Sequence, residues 1–301
     1  MNRWVTALFL VLLIQCGIVA AVFWPQQLPQ QQSATRTFAP FPVNAIDELH
    51  ISDEFDNEAV LIRSGEQWLL PDLENLPADA ARVDALLHDL TTQSGIWPIA
   101  QSSAARQRFQ VADYYYQKRL TLLSSGEELG TLYLGTSPGF RKVHARNAKQ
   151  DEIYSIAFNT FEIPAVNDGW LDTRLLQVRT PLRIDTDLYN LYFENGRWMS
   201  ATGGTPDEVE LSTVISALRD LQVVGVAGED LQRELSAVEA DLVITVQSLA
   251  GDTTLEIVTR SGEYFIHSSE FPLFFTCAAD CERLTGVDAG RISGEDDGSD
   301  D

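Results

Sequence analysis

Apolar and polar residues are arranged along this chain in patterns that predict short strands and amphipathic helices. Residues 46–51 predict a first strand, and Gly65 followed by Trp68 predicts the end of a hairpin. A helix is predicted next, because its apolar residues recur at i, i+3, i+4 and i+7: Val83, Leu86, Leu87 and Leu90. That apolar stripe requires a packing partner, and the neighbouring sheet is the available one.

The same pattern returns in the second half of the chain. A strand is predicted over residues 184–193, and Gly196 and Trp198 follow it. The next predicted helix again carries an apolar stripe: Leu211, Val214, Ile215, Leu218 and Leu221.

The spacing of the two patterns indicates two copies of one packing unit. Trp68 precedes Leu90 by 22 residues, and Trp198 precedes Leu221 by 23 residues. The two tryptophans are therefore expected in equivalent, substantially buried positions against their helices.

The remaining strand predictions indicate the α+β class. Alternating residues predict further strands in the first half (117–123, 129–134, 140–146 and 152–156) and in the second half (241–247, 254–259 and 263–267). A hairpin over residues 135–149 is expected in the first copy alone. The predicted fold is α+β, with an N-terminal transmembrane helix followed by two tandem, related modules over residues 43–180 and 181–288. Each module is expected to be a mainly antiparallel sheet with a packed helix.

The first residues predict a membrane anchor. Residues 5–24 contain no charged side chain, and as a helix they would span roughly 30 Å, about one bilayer core. Residues 1–24 are therefore predicted as a single transmembrane helix, and residues 25–42 as a Pro- and Gln-rich linker. The position of Arg3 before the apolar run places the bulk of the chain outside the cytoplasm, in the periplasm, attached to the inner membrane.

A cleaved signal peptide is the alternative interpretation of this segment. The small residues Val19, Ala20 and Ala21 suit a signal peptidase site. However, the apolar run is longer than that of a usual signal peptide, and it ends in Phe23 and Trp24, residue types that favour a membrane interface. We therefore expect the segment to be retained.

The charge of the chain argues against one class of partner. The sequence has 301 residues, of which 44 are Asp or Glu and 21 are Lys or Arg, so the formal net charge is -23. A surface of this charge repels phosphate groups, and no nucleic-acid binding is expected. Residues 289–301 end in an acidic run and are predicted to form a disordered tail.

One hydrolase pattern is present, but its chemistry does not fit. Gly135, Ser137 and Gly139 match the Gly-x-Ser-x-Gly turn that presents a nucleophilic serine. In that turn the residue after the serine donates its backbone N–H to the oxyanion, whereas Pro138 has no N–H to donate. A plain turn between two strands is expected instead.

No catalytic, cofactor-binding or metal site is predicted elsewhere. The four histidines lack the spacing of zinc ligands, and no Gly-rich phosphate loop occurs. His50 lies near Asp53, Glu54 and Asp56, a grouping that favours a solvated acidic loop over a cation site. The chain is therefore expected to be non-enzymatic and to need no cofactor.

Cys277 and Cys281 form a candidate disulfide. In an oxidising compartment two cysteines this close pair readily, and closing the short ring would stabilise the fold by about 2 kcal/mol in the chain-entropy model. Free thiols are the alternative.

Basic residues concentrate in one short segment of this acidic chain. We call five of them the basic hairpin: Arg141, Lys142, His144, Arg146 and Lys149. On a strand, the middle three share one face. The basic hairpin is predicted to be a contact surface for an acidic partner or for lipid head groups. The alternative is a hairpin whose bases are offset by neighbouring acids.

Several packing and turn motifs together resemble one protein family. They are Trp68-Leu69-Leu70, the helix from Pro77 to Leu90, Leu132-Tyr133-Leu134-Gly135, the basic hairpin and Glu152-Ile153-Tyr154-Ser155-Ile156. Over roughly residues 43–180 the chain resembles the domain of unknown function 4340 family. The resemblance implies an envelope protein often encoded beside ABC-transporter subunits similar to those of gliding-motility systems.

An accessory or scaffold role follows from that resemblance, with an ABC transporter permease or other envelope proteins as partners. Two other classes stay open. One is a ligand-binding module that uses a cleft between the modules. The other is an envelope enzyme whose site is not recognisable from sequence.

Overall fold

The computed structural model describes Leu12, Gln15 and residues 38–93, 96–277 and 279–294. The predicted transmembrane helix of residues 1–24 and most of the predicted linker lie outside these residues, apart from Leu12 and Gln15. Within the described part of the chain, no helix is both long enough and apolar enough to cross a membrane.

The fold is α+β with mainly antiparallel sheets. The first half contains, in chain order, β1 (Glu48–Asp53), β2 (Glu58–Ser64), β3 (Gln67–Leu70), β4 (Leu76–Pro77), α1 (Ala80–Thr91), β5 (Pro98–Ala100), α2 (Ser103–Arg108), β6 (Val111–Ala112), β7 (Tyr115–Tyr116), β8 (Lys118–Ser124), β9 (Glu127–Leu134), β10 (Lys142–Asn147) and β11 (Ile153–Ala157). Nine of these strands form one sheet in the order β4-β3-β2-β1-β8-β9-β10-β11-β5, while β6 and β7 pair with each other.

The second half forms another antiparallel sheet. Its elements are β12 (Pro181–Thr186), β13 (Asn190–Glu194), β14 (Arg197–Ser200), α3 (Glu208–Asp220), β15 (Val223–Val226), α4 (Glu229–Leu235), β16 (Leu242–Ser248), β17 (Gly251–Arg260), β18 (Glu263–Ser268), β19 (Phe271–Cys277), α5 (Ala279–Thr285) and α6 (Ala289–Ser293). The strand order is β14-β13-β12-β16-β17-β18-β19-β15.

Apart from one short strand, the two sheets share one strand order. In each, a three-strand meander comes first in sequence, a long helix comes after it, and the strand after that helix lies at the far edge of the sheet. The additional strand is β4, which lies between β3 and α1 in sequence and extends the edge of the first sheet beside β3. The tryptophans occupy matching positions, since Trp68 of β3 pairs with Arg63 and Trp198 of β14 pairs with Phe193. Trp68 is fully buried, whereas Trp198 is half-buried, so only the first tryptophan is as buried as the sequence predicts.

Both predicted helical stripes face the core. In α1, Asp79 caps the first turn by accepting the backbone N–H of Arg82 at 3.2 Å, and all four residues of the stripe are buried. In α3, Asp207 caps by accepting the N–H groups of Val209 and Glu210 at 3.0 and 3.1 Å. One core cluster contains buried residues of both sheets and both helices.

The ends of the folded region differ from the sequence prediction. Phe38 and Ala39 are fully buried, so the predicted linker over residues 25–42 extends too far. The predicted disordered tail over residues 289–301 is also wrong at its start, because α6 is ordered and Ile292 is fully buried. Thr202 holds this helix by donating its hydroxyl to the carbonyl of Ser293 at 2.9 Å.

The hairpin expected only in the first copy has a counterpart in the second. β18 occupies the place of β10 in the strand order, and it pairs with β17 and β19 as β10 pairs with β9 and β11. The real difference is the connection, since residues 135–141 join β9 to β10 where Ser261 and Gly262 suffice between β17 and β18.

Candidate functional site

Ser137 stabilises a turn. Its hydroxyl lies 2.7 Å from the carbonyl oxygens of both Gly139 and Lys142, and it also accepts the N–H of Gly139 at 3.3 Å. A Cβ atom at Gly135 would clash with the carbonyl oxygens of Phe109 and Gln110, so this glycine permits close packing of two segments. The Gly-x-Ser-x-Gly residues are thus accounted for by turn and packing contacts.

His144 is buried against the segment that crosses Gly135. Its Nδ1 lies 2.9 Å from the hydroxyl of Thr136, and its ring is 4.1 Å from the ring of Phe109. Burial lowers the pKa of His144, since the charged imidazolium loses hydration there. The side chain is therefore neutral at pH 7 and contributes no positive charge to the basic hairpin.

Arg146 is the most deeply buried base of the hairpin, at 1% exposure. Its Nε donates to the carbonyl of Val111 at 2.7 Å, and its guanidinium also bonds the carboxylate of Asp113. The guanidinium carbon lies 4.7 Å from the ring centre of Tyr133. Because a protein interior tolerates a charge only when it is paired and hydrogen-bonded, these contacts explain how Arg146 is accommodated.

The basic hairpin is therefore not one solvent-facing surface, which corrects the sequence prediction. His144 and Arg146 share a face as predicted, but the segment of residues 109–113 covers that face. Lys149 is exposed at the opposite end of β10, where its ammonium donates to the carbonyl of Leu129 at 2.9 Å. Only Arg141 and Lys142 stay exposed together.

Next to these two bases lies a group of exposed aromatic residues. Phe140 is 91% exposed, Phe161 93% and Trp97 77%. The register places them at one end of the first sheet, because Lys142 pairs with Ala157 at the end of β11 and Pro98 begins the neighbouring β5. We call Trp97, Phe140, Arg141, Lys142 and Phe161 the aromatic end. Sequence patterns did not reveal it, since single exposed aromatics have no periodicity.

The two sheets are joined by a short 3-10 helix, Asn167–Trp170. Asn167 accepts the backbone N–H of Val60 in β2 at 3.1 Å, and Asp168 accepts the backbone N–H of Val226 in β15. Trp170 is fully buried, and its indole N–H donates to the carbonyl of Pro164 at 2.9 Å. We call residues 167–170 the joint.

Arg82 of α1 fastens the joint from the first half of the chain. Its guanidinium donates to the carbonyls of Gly169 and of Glu162, the latter at 2.9 Å, and its guanidinium carbon is 4.8 Å from the ring centre of Trp170. Burial raises the pKa of Asp168, because the carboxylate loses hydration, and the Val226 N–H offsets only part of this effect. Sequence reasoning missed the joint, since nothing local distinguishes its side chains from those of any loop.

Cys277 and Cys281 are bonded, with Cα atoms 5.9 Å apart. Cys277 is the last residue of β19, and Cys281 lies in the first turn of α5. The strand-to-helix corner between them brings the two sulfurs together, which a continuous helix would not do. Both residues are buried, which favours a structural role.

No metal site is formed by the acidic residues near His50. Asp53 accepts the N–H groups of Phe55 and Asn57 at 2.9 and 3.1 Å, and His50 lies 2.6 Å from the carboxylate of Glu48. Across the described ranges, no group of three or more His, Cys, Asp or Glu side chains is arranged to hold a metal ion.

A cleft of about 430 Å³ lies between the connecting segment of residues 175–180 and the second sheet. Its lining includes the hydroxyls of Ser248, Thr253 and Ser268 and the carboxylate-bearing Glu270. Ser268 and Thr253 are buried and lie 3.3 Å apart, hydroxyl to hydroxyl.

Fold and surface together define an α+β protein of two like-ordered antiparallel sheets, with exposed aromatic residues at one end of the first sheet. A family model, the domain of unknown function DUF4340, matches residues 68–241, and the chain belongs to this family. No curated protein and no solved structure gives a significant match.

Proposed function

We propose that this chain is a membrane-anchored, extracytoplasmic accessory or scaffold protein of an ABC-type transport or envelope assembly. The observation that carries the proposal is the use of its polar side chains. Ser137, His144 and Arg146 are the candidates that sequence patterns single out, and each of them makes internal contacts. These internal contacts support a non-catalytic role in which the chain presents surfaces to its partners.

The scaffold is built from two tandem, related modules. Support comes from the strand order that the sheets share apart from β4, from the long helix that comes after the first meander in each sheet, and from the matching positions of Trp68 and Trp198. The joint then fastens the modules, because its side chains bond a strand of each sheet. A fastened pair suits a scaffold, since its surfaces keep a fixed relative position.

Anchoring rests on residues 1–24, which carry the membrane-length apolar run. A bond between Cys277 and Cys281 fits the same placement, because disulfides persist in oxidising compartments such as the periplasm. The inner membrane, crossed once, is therefore the proposed location.

Affinity purification of the full chain from detergent-solubilised membranes tests the proposal. We expect a permease or another envelope protein to co-purify in stoichiometric amount. A chain with Ser137→Ala is the matched control, and it should retain the same partner because the hydroxyl only stabilises a turn. Purification without any stoichiometric partner would contradict the scaffold role.

The cleft beside residues 175–180 supports a second candidate, a ligand-binding module. Its volume lies within the range of small-molecule sites, and its hydroxyls offer hydrogen bonds to a polar ligand. Native mass spectrometry of the purified chain tests this alternative. A bound small molecule lost on Ser268→Leu substitution would favour it over the scaffold role.

A further inference from the structure

Three large aromatic side chains of the aromatic end lie in solvent, whereas the fold buries two tryptophans completely. Phe140, Phe161 and Trp97 are 91%, 93% and 77% exposed, whereas Trp68 and Trp170 are 1% and 0% exposed. Exposed aromatic side chains at one end of a sheet are typical of a contact with another molecule or with a membrane. The aromatic end therefore calls for an occupant, either another molecule or the membrane.

The path of the N-terminal chain points to the answer. The backbone N–H of Phe38 donates to the carbonyl of Gln93 at 3.1 Å, and the side-chain amide of Gln93 donates to the carbonyl of Ala157 at 3.1 Å. At the same place the N–H of Phe158 donates to the carbonyl of Arg141 at 3.1 Å. Gln93 therefore links Phe38 to the end of β11 that borders the aromatic end, while the side-chain amide of Asn147, at the other end of β10, donates to the carbonyl of Phe38 at 3.4 Å.

We propose that the aromatic end lies on the phospholipid surface of the membrane. This inference rests on the proposed anchor over residues 1–24. Residues 25–37 then connect anchor and sheet, and thirteen residues reach at most roughly 45 Å even when fully extended. The sheet is thus held near the bilayer, and Gln93 connects Phe38, where the tether meets the sheet, to the aromatic end.

The chemistry of the aromatic end fits that surface. Trp and Phe side chains favour the boundary between head groups and acyl chains. Arg141 and Lys142 supply positive charge for lipid phosphates, with Glu162 as the acidic residue adjoining Phe161. The full chain has a net charge of -23, so the remainder of the molecule is repelled by anionic lipids and this contact orients the second sheet away from the bilayer.

Photo-crosslinking in the full-length, membrane-inserted chain tests the orientation. Benzoylphenylalanine is introduced in place of Phe140 or Phe161, where the high exposure leaves room for the larger ring. The control position is Leu249, which is 75% exposed in the turn between β16 and β17 of the second sheet. After illumination of the washed membrane fraction, adducts are identified by mass spectrometry. We expect at least a fivefold excess of phospholipid adducts at the two aromatic positions over the control.

Each other outcome has a distinct meaning. Protein adducts in place of lipid adducts at positions 140 and 161 would overturn the inference and assign the aromatic end to a protein partner. Lipid adducts no more frequent than at position 249, in a chain retained by the membrane, would overturn the inference alone. Release of the chain into the soluble fraction before illumination would overturn both the anchor and this inference.

Discussion

Asn167 and Asp168 are adjacent in sequence, and their side chains bond different sheets. Asn167 accepts the backbone N–H of Val60 in β2, and Asp168 accepts that of Val226 in β15. Val226 lies on β15, which is an edge strand of the second sheet. Val60 lies in the part of β2 that extends past the paired residues of β3. The backbone N–H groups of Val226 and Val60 therefore face sides on which no neighbouring strand pairs with them. The joint thus supplies hydrogen bonds to both sheets while holding them together.

Asp168 should make stability depend on pH. Its pKa is raised in the folded state, so the folded form binds the proton more tightly than the unfolded form does. The stability that this tighter proton binding contributes is present below the unfolded pKa of about 4, and it is lost as pH rises through the folded pKa. Asp168→Asn keeps an acceptor oxygen for Val226 but does not ionise.

The variant should therefore gain stability relative to the native chain as pH rises from about 4, until the carboxyl is fully ionised. The gain should be small, because Asp168 is partly exposed to water. Urea unfolding of both proteins at a series of pH values measures the difference. A difference that stays constant with pH, or that falls as pH rises, would show that burial does not act on this carboxyl as described.

Arg146 and Arg141 should respond very differently to substitution. Arg146→Met removes a buried guanidinium with several bonded carbonyls and should destabilise the fold by about 3 kcal/mol or more. Arg141→Met, at an exposed position of the same hairpin, should change stability by less than about 0.5 kcal/mol. Chemical unfolding of the two variants and the native chain measures both changes in unfolding free energy. Equal effects would mean that Arg146 is solvent-facing after all, as the sequence pattern predicts.

Trp68 and Trp198 occupy matching strand positions but differ in burial, so their substitutions should differ in cost. Trp68→Ala empties a fully buried site and should cost about 3 to 5 kcal/mol. Trp198→Ala should cost about 1 to 2 kcal/mol, because that side chain is half-buried and packs on Phe193 with ring centres 5.6 Å apart. Equal losses of unfolding free energy would contradict the unequal burial.

The bond between Cys277 and Cys281 should be present in protein taken from the periplasmic side. Alkylation of unfolded chain should then modify neither cysteine unless a reductant is added first. Replacing both cysteines by serine should lower stability by about 2 kcal/mol from chain entropy, with a further loss because both sites are buried. Full alkylation without reductant would rule the bond out.

Periodicity predicted the fold class, both helical stripes and the matching tryptophans, because each depends on residues close in sequence. It also placed His144 and Arg146 on one face of β10. It did not reveal that residues 109–113 cover that face, since this contact joins segments more than thirty residues apart. The joint and the aromatic end were missed for the same reason: hydrogen bonds to distant backbone and isolated exposed rings have no local pattern.

The proposed anchor, the disulfide and the proposed membrane contact all depend on the compartment in which the folded region lies. The most direct measurement fuses alkaline phosphatase after residue 301 of the full chain, followed by assay of activity and membrane retention in a bacterial host. We expect an active phosphatase that stays in the membrane fraction on a chain with its first residues intact. An inactive fusion, or an active one released in soluble form without its first 24 residues, would contradict it.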